Sequence, residues 1–358
     1  MRIVYITNAS FLDHSYTIVK ELKKQCEVYA FIQAKEESGE LREWCSRLNA
    51  SFVKRKRYRN PLSFVAEFKF LFSVRKYRAD RIWFNGISVY QAVIAKILLR
   101  NYLVMIHDVE SHLGSKDYFS LLSSNLHLFF LKKRICTASL TQASVFEKKF
   151  GFLPVVFRLP IINYYSDVGI SAKSEHADSK NVRFFFFGSV YPYKGMEMLI
   201  EALEILSKKR VNCSLSVLGR IKYNYDFFKS KFDGFEHVNF IDKYIDYKEV
   251  YKIYCSHDVL IIPYRQVSQC GPLLIGFNEL VPVICSDLPG FREYVDDGKS
   301  GLIFRNSSSD LAEKMMTFIN KPGLINEMKQ FIETKTFRKF SMENLADKYI
   351  ENLSDFKL

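Results

Sequence analysis

Two turns carry the residues best suited to chemistry in this 358-residue chain. One follows Val259 to Ile262, a β-branched apolar run that reads as a strand buried on both faces and stopped by Pro263. A polar stretch, Tyr264-Arg265-Gln266-Val267-Ser268-Gln269-Cys270, then leads to Gly271-Pro272-Leu273, where the proline suits the first turn of a helix. Strand, turn and helix start direct backbone N–H groups and a helix dipole at one spot, where an anion, above all a phosphate, is stabilised. The other turn follows the apolar run Arg183 to Phe187. It holds Gly188 and Ser189, and it places Lys194 just before the helical pattern Met196 to Leu206. A cation there suits a phosphate held between two loops.

Open α/β sheets bind ligands off the carboxyl ends of their strands. Tyr102 to Ile106 reads as such a strand and ends in His107 and Asp108, with Glu110 and His112 in the same loop; the plainer alternative is a loop histidine that binds nothing. A third glycine block runs from Pro282 to Gly290 and is followed by Glu293 and by Asp296-Asp297, a pair read as a turn. Cys270 reads as a small turn residue rather than a nucleophile.

In order and rough spacing, the blocks at Gly188, Gly271 and Gly290 resemble the C-terminal half of a family 4 (group 1) retaining glycosyltransferase, over about residues 183 to 304. The resemblance implies an α/β protein of GT-B fold: two facing Rossmann-like doubly wound domains with a C-terminal crossover helix. It also implies transfer of a sugar from a nucleotide-sugar substrate, with no cofactor and no metal. The family's phosphate clamp is an Arg directly after the first glycine and a Lys shortly after; Lys194 matches, and Ser189 stands at the Arg position. The family's pair of glutamates around the central turn is missing, with Ser268 or Gln269 near the first and Ile275 or Gly276 near the second. The turn resembles instead a subgroup with Tyr-Arg, Ser/Gln-rich residues and then Gly, which makes Arg265 the substitute cation.

Carried over residue by residue, the resemblance places His107 beside the transferred sugar, with Asp108 in support. Lys194 and Arg265 meet the leaving diphosphate. Gly188, Ser189, Ser268, Gln269, Cys270, Gly271, Pro272 and Leu273 surround the donor, and Tyr244 meets its base. Glu293 orients the donor sugar or is simply a helix-start carboxylate. Asp13 and His14, in the loop after the first strand, are either acceptor-side contacts or a solvated loop pair. Two other readings stay open: a non-catalytic GT-B-like subunit that binds a nucleotide sugar, and a sugar-nucleotide 2-epimerase.

The elements that must position these residues follow a βαβ rhythm from the start: strand Ile3 to Ile6, helix Tyr16 to Lys24, strand Val28 to Ile32 and helix Glu37 to Leu48. We read residues 1–165 as an acceptor-side Rossmann-like domain and 166–182 as a polar linker. Residues 183–338 form the nucleotide-sugar-binding domain, and 339–358 a helix that packs back on the first. Lys54 to Arg59 is the densest charge run, and it precedes Leu62 to Tyr77, where Phe64, Phe68 and Phe72 recur at helical spacing. That stretch fits either an acidic bilayer surface or a core-facing helix with a solvated basic face. Asp117 to Lys133 is a second aromatic helical stretch that reads either as core, as most such stretches are, or as surface-seeking; on the latter reading an anionic membrane would be met through 54–78 and 117–134.

Hydrophobic residues at 48% and charged residues at 25% suit a globular protein long enough for two domains. Seven cysteines without metal-ligand spacing point to reduced thiols. The chain starts directly in a strand, so no signal peptide is expected, and no apolar run reaches the roughly 18 residues of a membrane span. A net charge of +13 calls for an anionic partner; the basic clusters adjoin apolar helices rather than an aromatic stacking platform, which argues against nucleic acid. The resulting expectation is a cytoplasmic, peripheral membrane enzyme with a UDP-sugar donor. It would act on a saccharide or lipid-linked saccharide in bacterial surface polysaccharide synthesis.

Overall fold

The computed structural model describes residues 1–55, 62–109, 131, 134–169 and 181–356. Glu110, His112, most of the basic run at 54–59, nearly all of the 117–134 stretch and most of the expected linker lie outside them. Two compact units divide the chain. The first runs from Met1 through Pro160 and takes in the C-terminal segment from Ser341; the second is essentially Ile161–Phe340.

The first unit's described residues form a seven-stranded parallel sheet in the order β3-β2-β1-β4-β5-β6-β7. Its strands are β1 (Arg2–Asn8), β2 (Glu27–Ala34), β3 (Ser51–Lys54), β4 (Arg81–Asn85), β5 (Tyr102–Ile106), β6 (Ile135–Thr137) and β7 (Val155–Val156). Val4, Ile6, Phe84 and Val104 are buried at its centre. Central strands of a parallel sheet are covered on both faces, which is why they are apolar at nearly every position. The C-terminal helix, Met342–Asp355, belongs to this unit. Tyr349 packs edge-on against Phe157 (5.1 Å between ring centroids) and near Trp83, its hydroxyl donates to the Arg158 carbonyl, and the Arg81 guanidinium donates to the carbonyls of Leu353 and Ser354.

The helix Leu62–Val74 buries a narrow and partly polar face: Ser63, Glu67, Leu71 and Val74. Leu62, Phe64, Val65, Phe68 and Phe72 are exposed. One side of the helix thus packs on the core through Leu71, Val74 and the half-buried Phe70, while Phe64, Phe68 and Phe72 stay outside it.

The second unit carries a six-stranded parallel sheet in the order β10-β9-β8-β11-β12-β13. These strands are β8 (Arg183–Phe187), β9 (Ser214–Leu218), β10 (Val238–Ile241), β11 (Val259–Ile262), β12 (Val283–Ser286) and β13 (Gly301–Phe304). The stretch expected to open the linker is folded: Tyr164–Val168 is a short helix, with Tyr164 stacked on Tyr247 and Ser166 accepting a hydrogen bond from Asn278. Its aromatic start supplies the buried surface that the polar composition further along hides.

Candidate functional site

Chain order in the second sheet reverses between β8 and β11. From β8 the connection leads outward to β9; from β11 it leads the other way to β12. The loops leaving these two strands therefore diverge and leave a crevice at the carboxyl edge, the place where doubly wound sheets hold ligands. Both chemistry-bearing turns issue there. Gly188, at φ +117°, follows β8, and a Cβ on it would lie 3.9 Å from the Pro272 ring, so the glycine turn stands beside the start of the helix Gly271–Asn278. Gly195, at φ +68°, is packed so closely on Pro263 that a Cβ would meet its carbonyl oxygen at 1.9 Å. Arg265 N–H closes the same seam by donating to the Tyr193 carbonyl at 2.7 Å.

Lys194 ends a single 3-10 turn, Pro192–Lys194, and projects its ammonium 3.7 Å from the centroid of the buried Tyr264 ring and 4.9 Å from that of Tyr193. Part of the side chain stays accessible, but the ammonium end is packed, and desolvation lowers its pKa to about 8, with Cys270 acting in the opposite direction. Among the described residues no carboxylate pairs with it. Aromatic faces hold a cation weakly, so this is a desolvated positive charge with no counter-ion among the described residues. Cys270 is buried with its pKa raised by that burial, consistent with an inert turn residue.

Arg265 is half exposed, and its Nη2 lies 3.6 Å from Glu197 Oε2. The other oxygen of Glu197 accepts from the Tyr223 hydroxyl at 2.9 Å, and burial, with that hydrogen bond, raises the phenol's pKa. Neither Glu197 nor Tyr223 stood out in the sequence. Arg220, beyond β9, was not singled out either: its carbonyl accepts from Val190 N–H at 2.8 Å, which ties its backbone to the chain just after the Gly188-Ser189 turn, and its side chain is exposed.

The remaining expected donor residues divide by burial. Ser268, Cys270 and Leu273 have buried side chains, so only their backbone groups are available to a ligand. Pro272 brings no amide hydrogen. Glu293 is not a helix-start carboxylate: it follows the C-terminal end of the short helix Pro289–Arg292, where the helix dipole disfavours a negative charge. That helix sits against the central turn, since a Cβ on Gly290 would meet Val267 Cγ1 at 3.0 Å. Tyr244 is 70% exposed past the end of β10. Asp296 and Asp297 are turn residues: the Asp296 carbonyl accepts from Ser300 N–H at 2.9 Å, and Asp297 Oδ1 from Ile303 N–H at 2.8 Å.

In the first unit, Asp13 and His14 are not a solvated loop pair. The helix after β1 begins at Leu12, earlier than the sequence suggests, and His14 is buried in its first turn. His107, at the end of β5, is also buried, and its Nε2–H donates to Asn85 Oδ1 at 2.6 Å. The Asn85 amide nitrogen then donates to Ser15 Oγ (2.8 Å) and His14 Nε2 (3.1 Å). This leaves the His14 proton on Nδ1, which lies 3.3 Å from Asp13 Oδ1. Phe11 stacks on His107 with centroids 3.9 Å apart. The network joins Asp13, His14 and His107 through Asn85, which was missed because an Asn-Gly pair after a strand reads as a turn. Asp108 is exposed beside it.

No group of His, Cys, Asp or Glu among the described residues is arranged to hold a metal ion. Residues 181–321 match the model of the family described as glycosyl transferases group 1. The matched stretch lies within the second unit. A curated relative, a glycogen synthase of Thermodesulfovibrio yellowstonii, is 27% identical over 170 residues, 46% of this chain and 33% of that protein. The chain thus spans between about a third and under a half of the curated relatives it matches. Two solved structures extend the likeness in fold to the whole chain. The Anabaena HepE protein in complex with UDP-glucose has a TM-score of 0.77 at 15% identity, with 99% of each chain covered. A glycosyltransferase of Rickettsia africae has a TM-score of 0.75 at 16% identity, covering 99% of this chain and 98% of the other. The GT-B expectation for the fold holds: two parallel Rossmann-like sheets with a long helix at the end of the chain.

Proposed function

We propose that this group 1 domain binds a nucleotide-diphosphate sugar, preferably a UDP-sugar, and that the chain transfers the sugar with retention to a saccharide or lipid-linked saccharide acceptor in bacterial surface polysaccharide synthesis. One observation carries the reading. Lys194 is a desolvated ammonium without a carboxylate partner among the described residues, and it stands at the sheet's switch point next to a helix start. A cation in that state is completed by an external anion, and a diphosphate is the anion such a crevice accommodates.

Departing diphosphate charge is then stabilised by Lys194, by Arg265 once it turns from Glu197, and by the amides at Cys270 and Gly271. Tyr244 offers an exposed ring to the base, and Glu293 a carboxylate to the donor sugar. His107, fixed by Asn85, is the sugar contact of the first unit, with Asp108, Asp13 and His14 on the acceptor side. HepE was captured with UDP-glucose, which supports uridine as the base.

A thermal-shift screen against UDP-, GDP- and ADP-sugars tests the reading, since stabilisation follows ligand saturation. A rise in Tm with UDP-sugars that is lost in Lys194→Ala and survives EDTA supports it. No response to any nucleotide sugar overturns it. Incubation with UDP-sugar alone separates the alternatives: a 2-epimer as product gives an epimerase, and binding without turnover even with acceptors gives a binding subunit.

A further inference from the structure

We infer that the helix Leu62–Val74 is a docking surface for an anionic lipid bilayer. Val65, Phe68, Lys69, Phe72 and Lys76 recur at the spacing that puts side chains on one side of a helical path, and all five are exposed, Phe72 at 55%. The opposite side is the buried one, with Ser63, Glu67, Leu71 and Val74. A surface helix normally turns its polar side to water and its apolar side inward. Here three large apolar residues face outward while a carboxylate faces inward, held by Arg55 at 3.1 Å. The rings are grouped: Phe68 and Phe72 lie parallel with centroids 6.4 Å apart, and the Arg75 guanidinium sits 5.5 Å from the Phe72 ring. The neighbouring helix, Val89–Leu98, continues the surface, with Phe64 edge-on to Tyr90 at 5.8 Å and Ile97 71% exposed.

Charge decides the occupant. From Leu62 to Arg100 the only carboxylates are Glu67 and Asp80; Glu67 is buried against Arg55, and Asp80 accepts from the Arg2 backbone. The same stretch exposes six cations, Lys69, Arg75, Lys76, Arg78, Lys96 and Arg100, against one exposed carboxylate, Asp80. A second copy of the chain pressed on this side would set like charges against like. An anionic bilayer offers both what the rings need and what the cations need: acyl chains at shallow depth and acidic headgroups above them. The inference is independent of the donor site, because it requires no nucleotide.

The test is cosedimentation of the full-length protein with phosphatidylcholine vesicles, with and without about 30 mol % phosphatidylglycerol. Binding is expected to the anionic vesicles only, and to fall steeply between low salt and about 0.5 M salt. The double variant Phe68→Ser/Phe72→Ser and the triple variant Lys69→Gln/Arg75→Gln/Lys76→Gln are each expected to lose at least roughly tenfold in partitioning. Both alter exposed side chains, so their melting temperatures and nucleotide-induced thermal shifts should match those of the parent. Three results would overturn the inference: no sedimentation with anionic vesicles at low salt, binding that neither variant changes, or a dimer in solution that the Phe68→Ser/Phe72→Ser change dissociates. None of these touches the nucleotide response, which is read separately.

Discussion

The two units keep polar groups at their sheet edges in opposite ways. In the first, His107, Asn85, His14 and Ser15 satisfy one another inside the protein, with donor–acceptor distances of 2.6 to 3.1 Å. In the second, Lys194 is held by aromatic rings and meets no opposite charge among the described residues. A satisfied network costs little to bury and fixes geometry, whereas a desolvated cation is a cost that a ligand removes. On the proposed function, the first unit's cluster would position and the second unit's lysine would supply binding strength. The two should fail differently when broken.

The largest expected effect is at Lys194. Lys194→Ala should weaken UDP binding by about 2–3 kcal/mol, the scale of a charge-assisted hydrogen bond, with folding unharmed; isothermal titration reads this. Asn85→Ala should do the reverse. It removes the hydrogen bond that Asn85 makes to the Nε2 of each buried histidine and should lower stability by about 2 kcal/mol in urea unfolding, while UDP affinity stays as it was. If Asn85→Ala abolished UDP binding in a folded protein, the division of labour would be wrong.

The pH dependence sharpens the contrast. With the Lys194 pKa at about 8 in the free protein, the ammonium is already charged at lower pH, so UDP affinity should change little between pH 6.5 and 7.5 on account of this group. As pH rises above about 8 the free lysine loses its proton. Affinity should then fall by up to tenfold per unit, until the higher pKa of the complex is passed. Lys194→Ala should flatten this alkaline limb.

Smaller effects attend the Arg265–Glu197 pair. Because Arg265 is half exposed and already faces a carboxylate, screening limits its contribution. Arg265→Ala should weaken UDP binding by roughly tenfold or less, and Glu197→Gln, which releases the guanidinium, should tighten it a few-fold. An effect of Arg220→Ala larger than that of Arg265→Ala would give the missing cation's place to Arg220. Asp296→Ala should leave UDP binding unchanged.

Local signals carried much of this organisation. Buried β-branched runs, glycines at turns and a proline at a helix start were enough to place the β8 and β11 turns, and the order of the blocks pointed to the family. Long-range pairing was not readable. Nothing adjacent in sequence links Glu197 to Arg265 or Asn85 to His107, and those contacts exist only because parallel strands bring distant ends together. Which side of Leu62–Val74 is exposed stayed open between two readings, since apolar residues at helical spacing announce a helix and not which way it faces. His14 looked like a loop residue because Asn8 and Ser10 suggest a longer turn, but the turn is closed at once by Ser10 N–H donating to Asn8 Oδ1.

The central claim is that a diphosphate completes the Lys194 ammonium beside the start of the helix at Gly271. A crystal structure of the protein with UDP measures this directly. The account predicts a phosphate oxygen about 3 Å from Lys194 Nζ, with a second within hydrogen-bonding reach of the Gly271 amide. Diphosphate density anywhere else, with the ammonium still resting on the Tyr264 ring, would contradict it.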